Sequence, residues 1–356
     1  MFKWLKNGAL CLSGILLGLL LTEGMARLCL PHPDRQINIL RRRAPNWIFD
    51  FSSGQPAGYD PFLQRQPNSM VVCNLGDGPE KMNNYGFRDR DFSLQPAPGK
   101  IRVATLGDSY TEGWNVPRAK SFPKLLENKL SSQIEVLNFG LSCRSPIRYV
   151  YAYDKLVRSF HPQVVLVALF QNDPDDDHEL APCVTLDSRG VPSHFNFHQY
   201  FRTTPHEPRS KWEKRLDRWQ WTACRFSRLF PYAAVCFINP ERRRFMYSAA
   251  TPEEFQTRWK ESQKHLETLQ RLTRADGAQL LCAYVPFCRP EFGRFCEDFC
   301  KERQIPFFMP SEFLQCPDQP SLYIPGDGHF SVKGNELYAS ELAAWFSKAN
   351  PIRQAP

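Results

Sequence analysis

Four short polar sets contain the residues of this chain that could carry out chemistry. They are 107–113 (Gly-Asp-Ser-Tyr-Thr-Glu-Gly), 138–140 (Asn-Phe-Gly), 171–173 (Gln-Asn-Asp) and 327–331 (Asp-Gly-His-Phe-Ser). A serine hydroxyl is a weak nucleophile unless a base takes its proton, and the base works best when a carboxylate fixes its tautomer. Ser109, His329 and Asp327 supply these three groups. The sequence therefore predicts a catalytic serine with a histidine base.

The same sets supply candidate donors for an oxyanion hole. Attack on a carbonyl group places negative charge on its oxygen, and donors must already face that oxygen. The candidates are the backbone N–H groups of Ser109 and Gly140 and the side-chain amide of Asn172. Gly107 supports this interpretation, because a nucleophile on a tight strand-to-helix turn leaves no room there for a Cβ atom.

Apolar runs alternate with helical patterns and must position these sets. The predicted strands are 101–107, 134–139, 164–170, 279–285 and 305–309, and the predicted helices are 123–131, 147–160, 252–274, 290–303 and 332–348. Strands that are apolar on both faces and alternate with helices indicate a parallel sheet covered on both sides. Ligands bind outside the carboxyl ends of such strands, where the first three polar sets fall. The sequence thus predicts an α/β fold with a parallel sheet of about five strands.

In their order and spacing, the four sets resemble the blocks of the SGNH, or GDSL-like, hydrolases. Those blocks are a Ser in Gly-Asp-Ser, a Gly, an Asn in an Asn-Asp pair, and a late His preceded by an Asp. The resemblance covers 101–173 and 279–346 and implies a flavodoxin-like three-layer α/β/α fold. It implies Ser109 as nucleophile, Asp327 and His329 completing the triad, and Gly140 and Asn172 in the oxyanion hole. It also implies a metal-independent esterase, deacetylase or acyltransferase that needs no cofactor.

Two positions depart from the family pattern. Only Gly328 separates Asp327 from His329, where the family often has two residues, and this spacing is similar to that of the alginate-acetylation branch. Phe170 stands where a glycine commonly precedes the asparagine by two positions. Asp327 remains the predicted triad carboxylate, and the Asn172 amide is expected to be available.

Other polar residues near these sets favour structural interpretations. Asp108 and Asp173 are expected to accept backbone hydrogen bonds in neighbouring loops. The run 175–178 (Asp-Asp-Asp-His) lacks the ligand spacing of a calcium-binding loop, so no metal site is predicted. Arg144 and Arg148 either cover the helix after the second strand or bind an anionic substrate.

The first 30 residues predict attachment to a membrane. The apolar run 8–22 follows Lys3 and Lys6 and suits a signal-anchor helix, with cleavage of a secretory signal peptide near 24–26 as the alternative. The positive-inside rule, applied to the arginines that follow, would keep the body of the protein in the cytoplasm. The 12 cysteines favour an oxidising compartment instead, so we expect an extracytoplasmic catalytic domain.

Composition and charge indicate the domain organisation and the class of partner. Residues 31–100 are predicted as a stalk and extended lead-in, and 101–350 as the hydrolase domain with a cap or insertion at 174–250. The net charge of +8 comes from interspersed basic and acidic residues, which argues against nucleic-acid binding. We expect an enzyme acting on an acyl ester, with acetyl on an envelope glycan or lipid as the expected substrate. The alternative is an inactive, membrane-tethered carbohydrate-binding module of the same fold.

Overall fold

The computed structural model describes most of the chain between residues 80 and 349. The described residues are 13–14, 17–25, 28, 63–65, 67–68, 70–71, 80–195, 251–324 and 327–349. The chain divides into two compact units, one of 1–54 with 207–247 and the other of 55–206 with 248–356.

In the first unit, the described residues 17–25 are helical. Several leucines of this helix are between 57% and 68% exposed: Leu17, Leu19, Leu20 and Leu21. No helix among the described residues is both long and apolar enough to cross a membrane. Of the predicted anchor at 1–30, residues 1–12, 15–16, 26–27 and 29–30 lie outside the described residues, as do 31–62 of the predicted stalk and 196–250 of the predicted cap.

The second unit alternates strands with helices. Its strands are β1 (Met70–Val71), β2 (Glu80–Lys81), β3 (Ile101–Leu106), β4 (Ile134–Asn138), β5 (Val164–Leu169), β6 (Val184–Leu186), β7 (Pro192–Phe195), β8 (Gln279–Tyr284) and β9 (Phe307–Phe308). Its α-helices are α1 (Ser109–Glu112), α2 (Phe122–Lys129), α3 (Pro146–Lys155), α4 (Asp173–Leu180), α5 (Pro252–Ala275), α6 (Pro290–Glu302), α7 (Ser311–Gln315) and α8 (Val332–Ala349). Every strand and helix that the sequence predicts between residues 101 and 348 is present. The predicted helix 147–160 is shorter, because α3 ends at Lys155 and a 3-10 turn follows.

The central sheet has five strands in the order β4-β3-β5-β8-β9, and each neighbouring pair is parallel. Counted within this sheet, the order is 2-1-3-4-5, the flavodoxin-like order. The prediction of a flavodoxin-like parallel sheet is therefore confirmed.

Helices cover both faces of the sheet and form a three-layer α/β/α structure. On β5, Val165 and Val167 pack in one apolar cluster with residues of α3, α5 and α6. Leu166, between them, packs in the other cluster with residues of α2 and α8. Successive side chains of a strand point to opposite faces, so an unbroken apolar run suits a strand buried between two helical layers.

Part of the segment predicted as a stalk folds onto the sheet. Phe87 and Phe92 are buried in the core cluster that contains α3. The Asn83 side chain accepts hydrogen bonds from the amides of Tyr85 and Phe87 at 2.9 Å each, which fixes the turn that delivers these rings. Residues 80–100 therefore contribute to the core of the second unit. Burial of their aromatic side chains stabilises the fold, whereas an exposed tether would leave those side chains in water.

The described start of the predicted cap consists of α4 and the β6–β7 hairpin, which ends at Phe195. The acidic run of α4 makes structural contacts. Asp175 pairs with Arg258 of α5 at 2.7 Å, and Asp177 accepts the amide of Ile147 at 2.9 Å. Among the described residues, no group of three or more His, Cys, Asp or Glu side chains could hold a metal ion.

The described cysteines are all free thiols: Cys143, Cys183, Cys282, Cys288, Cys296, Cys300 and Cys316. Three of them, Cys282, Cys296 and Cys300, are fully buried in the core. Cys282 lies within the apolar strand β8.

Candidate active site

The predicted nucleophile lies on a tight turn between β3 and α1. A Cβ atom on Gly107 would lie 2.0 Å from Oγ1 of Thr111, so this position requires glycine, as predicted. Asp108 caps α1 by accepting the amide of Tyr110 at 2.9 Å. Ser109 thus begins α1, just beyond the carboxyl end of β3.

The structure brings the three predicted triad residues into hydrogen-bond contact. Oγ of Ser109 lies 2.7 Å from Nε2 of His329, and Nδ1 of His329 lies 2.9 Å from Oδ2 of Asp327. The side chains of His329 and Asp327 are 14% and 15% exposed, so the base is shielded but reachable. This arrangement can move a proton from a serine hydroxyl to an imidazole whose other nitrogen is held by a carboxylate.

The one-residue spacing between Asp327 and His329 is accommodated by a left-handed glycine. Gly328 has φ of 87°, a conformation that costs glycine little. The hydroxyl of Tyr110 donates to the carbonyl of Gly328 at 2.7 Å, and the Tyr110 ring lies 4.9 Å from the His329 ring. The residue after the nucleophile therefore supports the loop that carries the base.

A second polar contact on the triad carboxylate was not predicted. The side-chain amide of Asn115 donates to Oδ2 of Asp327. Asn115 is 8% exposed and lies after α1, in the same segment of chain as the nucleophile. Nothing in the four polar sets points to this contact, because its partners are 212 positions apart in sequence.

Asn172 lies three residues beyond the end of β5, at the N-cap position of α4. Its side-chain amide donates to Oδ2 of Asp176 at 2.8 Å. A side-chain amide has two N–H groups, so one donor remains for a ligand while the other fixes the orientation of the group. Burial, together with neighbouring acidic groups such as Glu179 and Asp108, raises the pKa of Asp176 well above its usual value.

Gly140 allows the loop after β4 to pack against α1. A Cβ atom on Gly140 would lie 2.4 Å from the backbone nitrogen of Glu112. Its own N–H donates to Oδ1 of Asn138 at 2.9 Å, so this amide is occupied within the loop. A role for the Gly140 amide in an oxyanion hole stays a prediction.

The other backbone amides of this loop differ in whether they donate a hydrogen bond to a described residue. The amide of Leu141 donates to the carbonyl of Gly107 at 3.1 Å, and the amide of Ser142 donates to Glu112 at 2.9 Å. The amide of Cys143 has no acceptor among the described residues, and Cys143 is left-handed with φ of 61°. Of the four amides from Gly140 to Cys143, the last is the one left for a bound group.

Glu112 joins three segments around the nucleophile turn. It is 1% exposed and pairs with Arg65 at 2.7 Å, while its other oxygen accepts from the amide and hydroxyl of Ser142. Burial opposes ionisation of this carboxyl, but the charge of Arg65 and the hydrogen bonds from Ser142 outweigh it and lower the pKa of Glu112. The lead-in, α1 and the Gly140 loop are thus tied together by one carboxylate.

Asp108 and Asp173 accept backbone hydrogen bonds, as the sequence predicts. Burial raises the pKa of Asp108 to about 6. Asp173 accepts the amide of Phe170 and the hydroxyl of Tyr149, each at 3.0 Å, and burial raises its pKa well above the usual value. Both carboxyls lie under the site and hold the nucleophile turn and the start of α4.

The two predicted arginines hold the Gly140 loop. Arg144 is fully buried, donates to the carbonyl of Phe139 at 3.1 Å and stacks over the ring of Phe87. Burial lowers its pKa to about 9. Arg148 donates to the carbonyl of Cys143 at 2.9 Å. These contacts favour the structural interpretation of both residues over anion binding.

The placement of the functional sets on this sheet settles the type of fold. Ser109 follows β3, Asn172 follows β5, and the Asp-Gly-His segment precedes α8, the last helix. The fold is SGNH-like. This agrees with the resemblance carried by the four sequence blocks.

Three solved structures that are similar to this SGNH-like chain are named as a lipolytic protein, an esterase and a lipase/acylhydrolase. One is a protein from Desulfitobacterium hafniense DCB-2, described as lipolytic and of the G-D-S-L family, at 16% identity and TM-score 0.40, covering 69% of this chain and 99% of that one. The psychrotrophic esterase EstA from Pseudoalteromonas sp. is 12% identical at TM-score 0.40, covering 70% and 99%. The lipase/acylhydrolase from Enterococcus faecalis is 10% identical at TM-score 0.39, covering 70% and 96%. No family model and no curated protein matches the chain.

Proposed function

We propose that this protein is a metal-independent serine esterase or O-acyltransferase that uses Ser109, His329 and Asp327 as a catalytic triad. The observation that carries the proposal is the continuous contact from Oγ of Ser109 to Nε2 of His329, at 2.7 Å, and from Nδ1 of His329 to Asp327, at 2.9 Å. A binding protein has no need of a serine held against an imidazole that a carboxylate orients.

The first half of the reaction forms an acyl-enzyme. Oγ of Ser109 bonds to the carbonyl carbon of the ester as its proton passes to Nε2 of His329, and the carbonyl oxygen becomes an oxyanion. The N–H of Ser109 and the free N–H of Asn172 are the proposed donors to this oxyanion, with a loop amide from Gly140 or Cys143 completing the hole. The carbon–oxygen bond to the leaving group then breaks, and His329 returns the proton to the departing alcohol.

The second half releases the acyl group. Water, or the hydroxyl of an acceptor, loses its proton to His329 and attacks the acyl carbon, and the bond to Oγ of Ser109 breaks as that oxygen regains the proton. Hydrolysis and transfer differ only in the acceptor, so both belong to the same proposed site.

The proposed substrate is an acyl ester, with acetyl on an envelope glycan or lipid as its most specific form. Aromatic side chains lie beside the base: the Tyr110 ring is 4.4 Å from that of Phe170, which is 6.0 Å from that of Phe287. Phe170 and Phe287 are half-buried, and such faces suit the apolar side of an acyl group or sugar ring. We further propose attachment to a membrane through the N-terminal segment, with the catalytic unit outside the cytoplasm; the exposed leucines at 17–21 support this proposal.

Turnover of model esters separates this proposal from the alternative of an inactive carbohydrate-binding module. The purified full-length chain is incubated with p-nitrophenyl acetate and with an O-acetylated polysaccharide, with and without an unacetylated acceptor glycan. The proposal expects acetate release or acetyl transfer by the wild type and none by Ser109→Ala. Saturable glycan binding that Ser109→Ala leaves unchanged, without turnover by the wild type, would favour the binding module.

A further inference from the structure

The carboxylate of the proposed triad has a partner that the mechanism above does not use. The side-chain amide of Asn115 donates to Oδ2 of Asp327, the same oxygen that contacts Nδ1 of His329. We propose that Asn115 is a positioning residue that orients the triad carboxylate and moderates the basicity of His329. This inference rests on the proposed function and names one more residue of that site.

The backbone at Asn115 explains why an asparagine suits this position. Its φ is 64°, in the left-handed region that few residues other than glycine adopt, and asparagine is among the most tolerant. Gly113, two residues earlier, has φ of 79°. If the turn alone mattered at position 115, glycine would serve there as well.

The burial of this side chain indicates that its amide is used. Asn115 is 8% exposed, and its Oδ1 has no hydrogen-bond partner among the described residues. Burying a polar group without full satisfaction is costly. The bond from its N–H to Asp327 is the contact that offsets this cost, and it joins the nucleophile segment directly to the base segment.

Oδ2 of Asp327 is shared by Asn115 and His329, and this sharing predicts how Asn115 affects the imidazole. Two N–H donors on one carboxylate oxygen restrict rotation of the carboxylate and so hold the imidazole in line with Ser109. The Asn115 amide also disperses part of the carboxylate charge, which otherwise favours the protonated imidazole. A neutral donor does this and leaves the negative charge of the carboxylate in place. A lysine or arginine at this position would cancel that charge.

The titratable groups around His329 set the background for a test by pH. The described neighbours are Asp327, whose oxygen it contacts, Tyr110, which stacks on its ring, and Asp108, whose charge acts on it. All three remain in a variant of Asn115. A shift between wild type and variant therefore reports the change at position 115.

Two variants of the full-length chain test the inference. Asn115→Gly keeps the left-handed turn and removes the donor, and we expect kcat for ester cleavage to fall about tenfold with KM changed less. Asn115→Asp places a second carboxylate beside Asp327, and we expect the acidic limb of the kcat/KM profile to move up by about one pH unit. The matched control is Asn68→Gly, at an exposed asparagine with φ of 60°, which should leave kcat and the pH profile unchanged.

A second readout separates this inference from the proposed function. The titration of the His329 ring is followed by NMR on histidine-labelled protein, with the signal assigned from His329→Gln. A higher titration midpoint in Asn115→Asp supports the inference whether or not an ester is turned over. Unchanged kcat in Asn115→Gly, together with an unchanged His329 titration in Asn115→Asp, would overturn it while leaving wild-type turnover intact.

Discussion

The hydroxyl of Tyr110 donates to the carbonyl of Gly328 at 2.7 Å and so connects the residue after the nucleophile to the residue before the base. The segments that carry the nucleophile and the base are thereby held together by this side-chain-to-backbone hydrogen bond as well as by the Ser109–His329 contact. Relative placement of nucleophile and base governs rate steeply, so this contact should matter for turnover.

We expect Tyr110→Phe to lower kcat about fivefold, because it removes one buried hydrogen bond worth about 1 kcal/mol and keeps the ring against His329. Steady-state kinetics on a model ester measure the effect. Tyr85→Phe is the control, since Tyr85 is a half-buried tyrosine of the lead-in whose ring packs on Phe160. Equal kcat values for wild type and Tyr110→Phe would show that this hydrogen bond does not contribute to turnover.

Asn172→Ala should lower kcat by about 10²- to 10³-fold with a smaller change in KM, the usual loss on removing one oxyanion donor. Asn172→Asp should lose at least as much, because its carboxylate repels the developing negative charge. Asp176→Ala, which frees the Asn172 amide from its 2.8 Å partner, should have an intermediate effect. If Asn172→Ala keeps wild-type kcat, the oxyanion donors are elsewhere.

Glu112→Gln should destabilise the fold by about 3 kcal/mol at neutral pH, because it leaves Arg65 beside a neutral group in a shielded site. The folded-state pKa of Glu112 is lowered, so its stabilisation is present above the unfolded pKa and is lost as pH falls through the folded value. Urea unfolding at pH 7 and pH 4 should show the difference between wild type and variant shrinking at the lower pH. Glu336→Gln, in the exposed pair with Lys129, should cost less than about 1 kcal/mol at either pH.

Asp108→Asn should change the pH dependence of stability in the opposite sense. Burial raises the folded-state pKa of Asp108 from 3.8 to about 6, so its ionisation penalises the folded state increasingly as pH rises between these values. The asparagine can still accept the Tyr110 amide and has no such penalty. We therefore expect the variant to gain about 1–3 kcal/mol relative to wild type between pH 4 and pH 7.5.

Unfolding free energies at the two pH values decide this prediction. Asp298→Asn, at an exposed aspartate of α6, should show no such gain. A constant difference between wild type and Asp108→Asn across this range would mean that Asp108 ionises in the folded protein as it does in water.

The sequence predicts the sheet and the triad well because both have local signals. The apolar runs that become β3, β5 and β8 are buried on both faces, and the polar residues that follow β3 and β5 fall at one edge. The order and spacing of the blocks then single out Ser109 and His329.

Contacts between distant segments have no such signal. Asn115 with Asp327, and Glu112 with Arg65, join residues 212 and 47 positions apart, and a single sequence does not indicate which distant polar residues meet. Helix α4 was not predicted because its Asp-Pro-Asp-Asp-Asp start lacks an apolar period. Proline and acidic residues in the first turn favour this helix, and packing against α5 completes it.

The central claim is that Ser109 is an activated nucleophile with His329 as its base. The most direct measurement is labelling of the full-length protein with a fluorophosphonate probe, alongside Ser109→Ala and His329→Ala, followed by mass spectrometry of the labelled peptide. The account predicts covalent labelling of wild type at Ser109 that disappears in both variants. A folded wild type that does not react, or labelling that persists in Ser109→Ala, would contradict it.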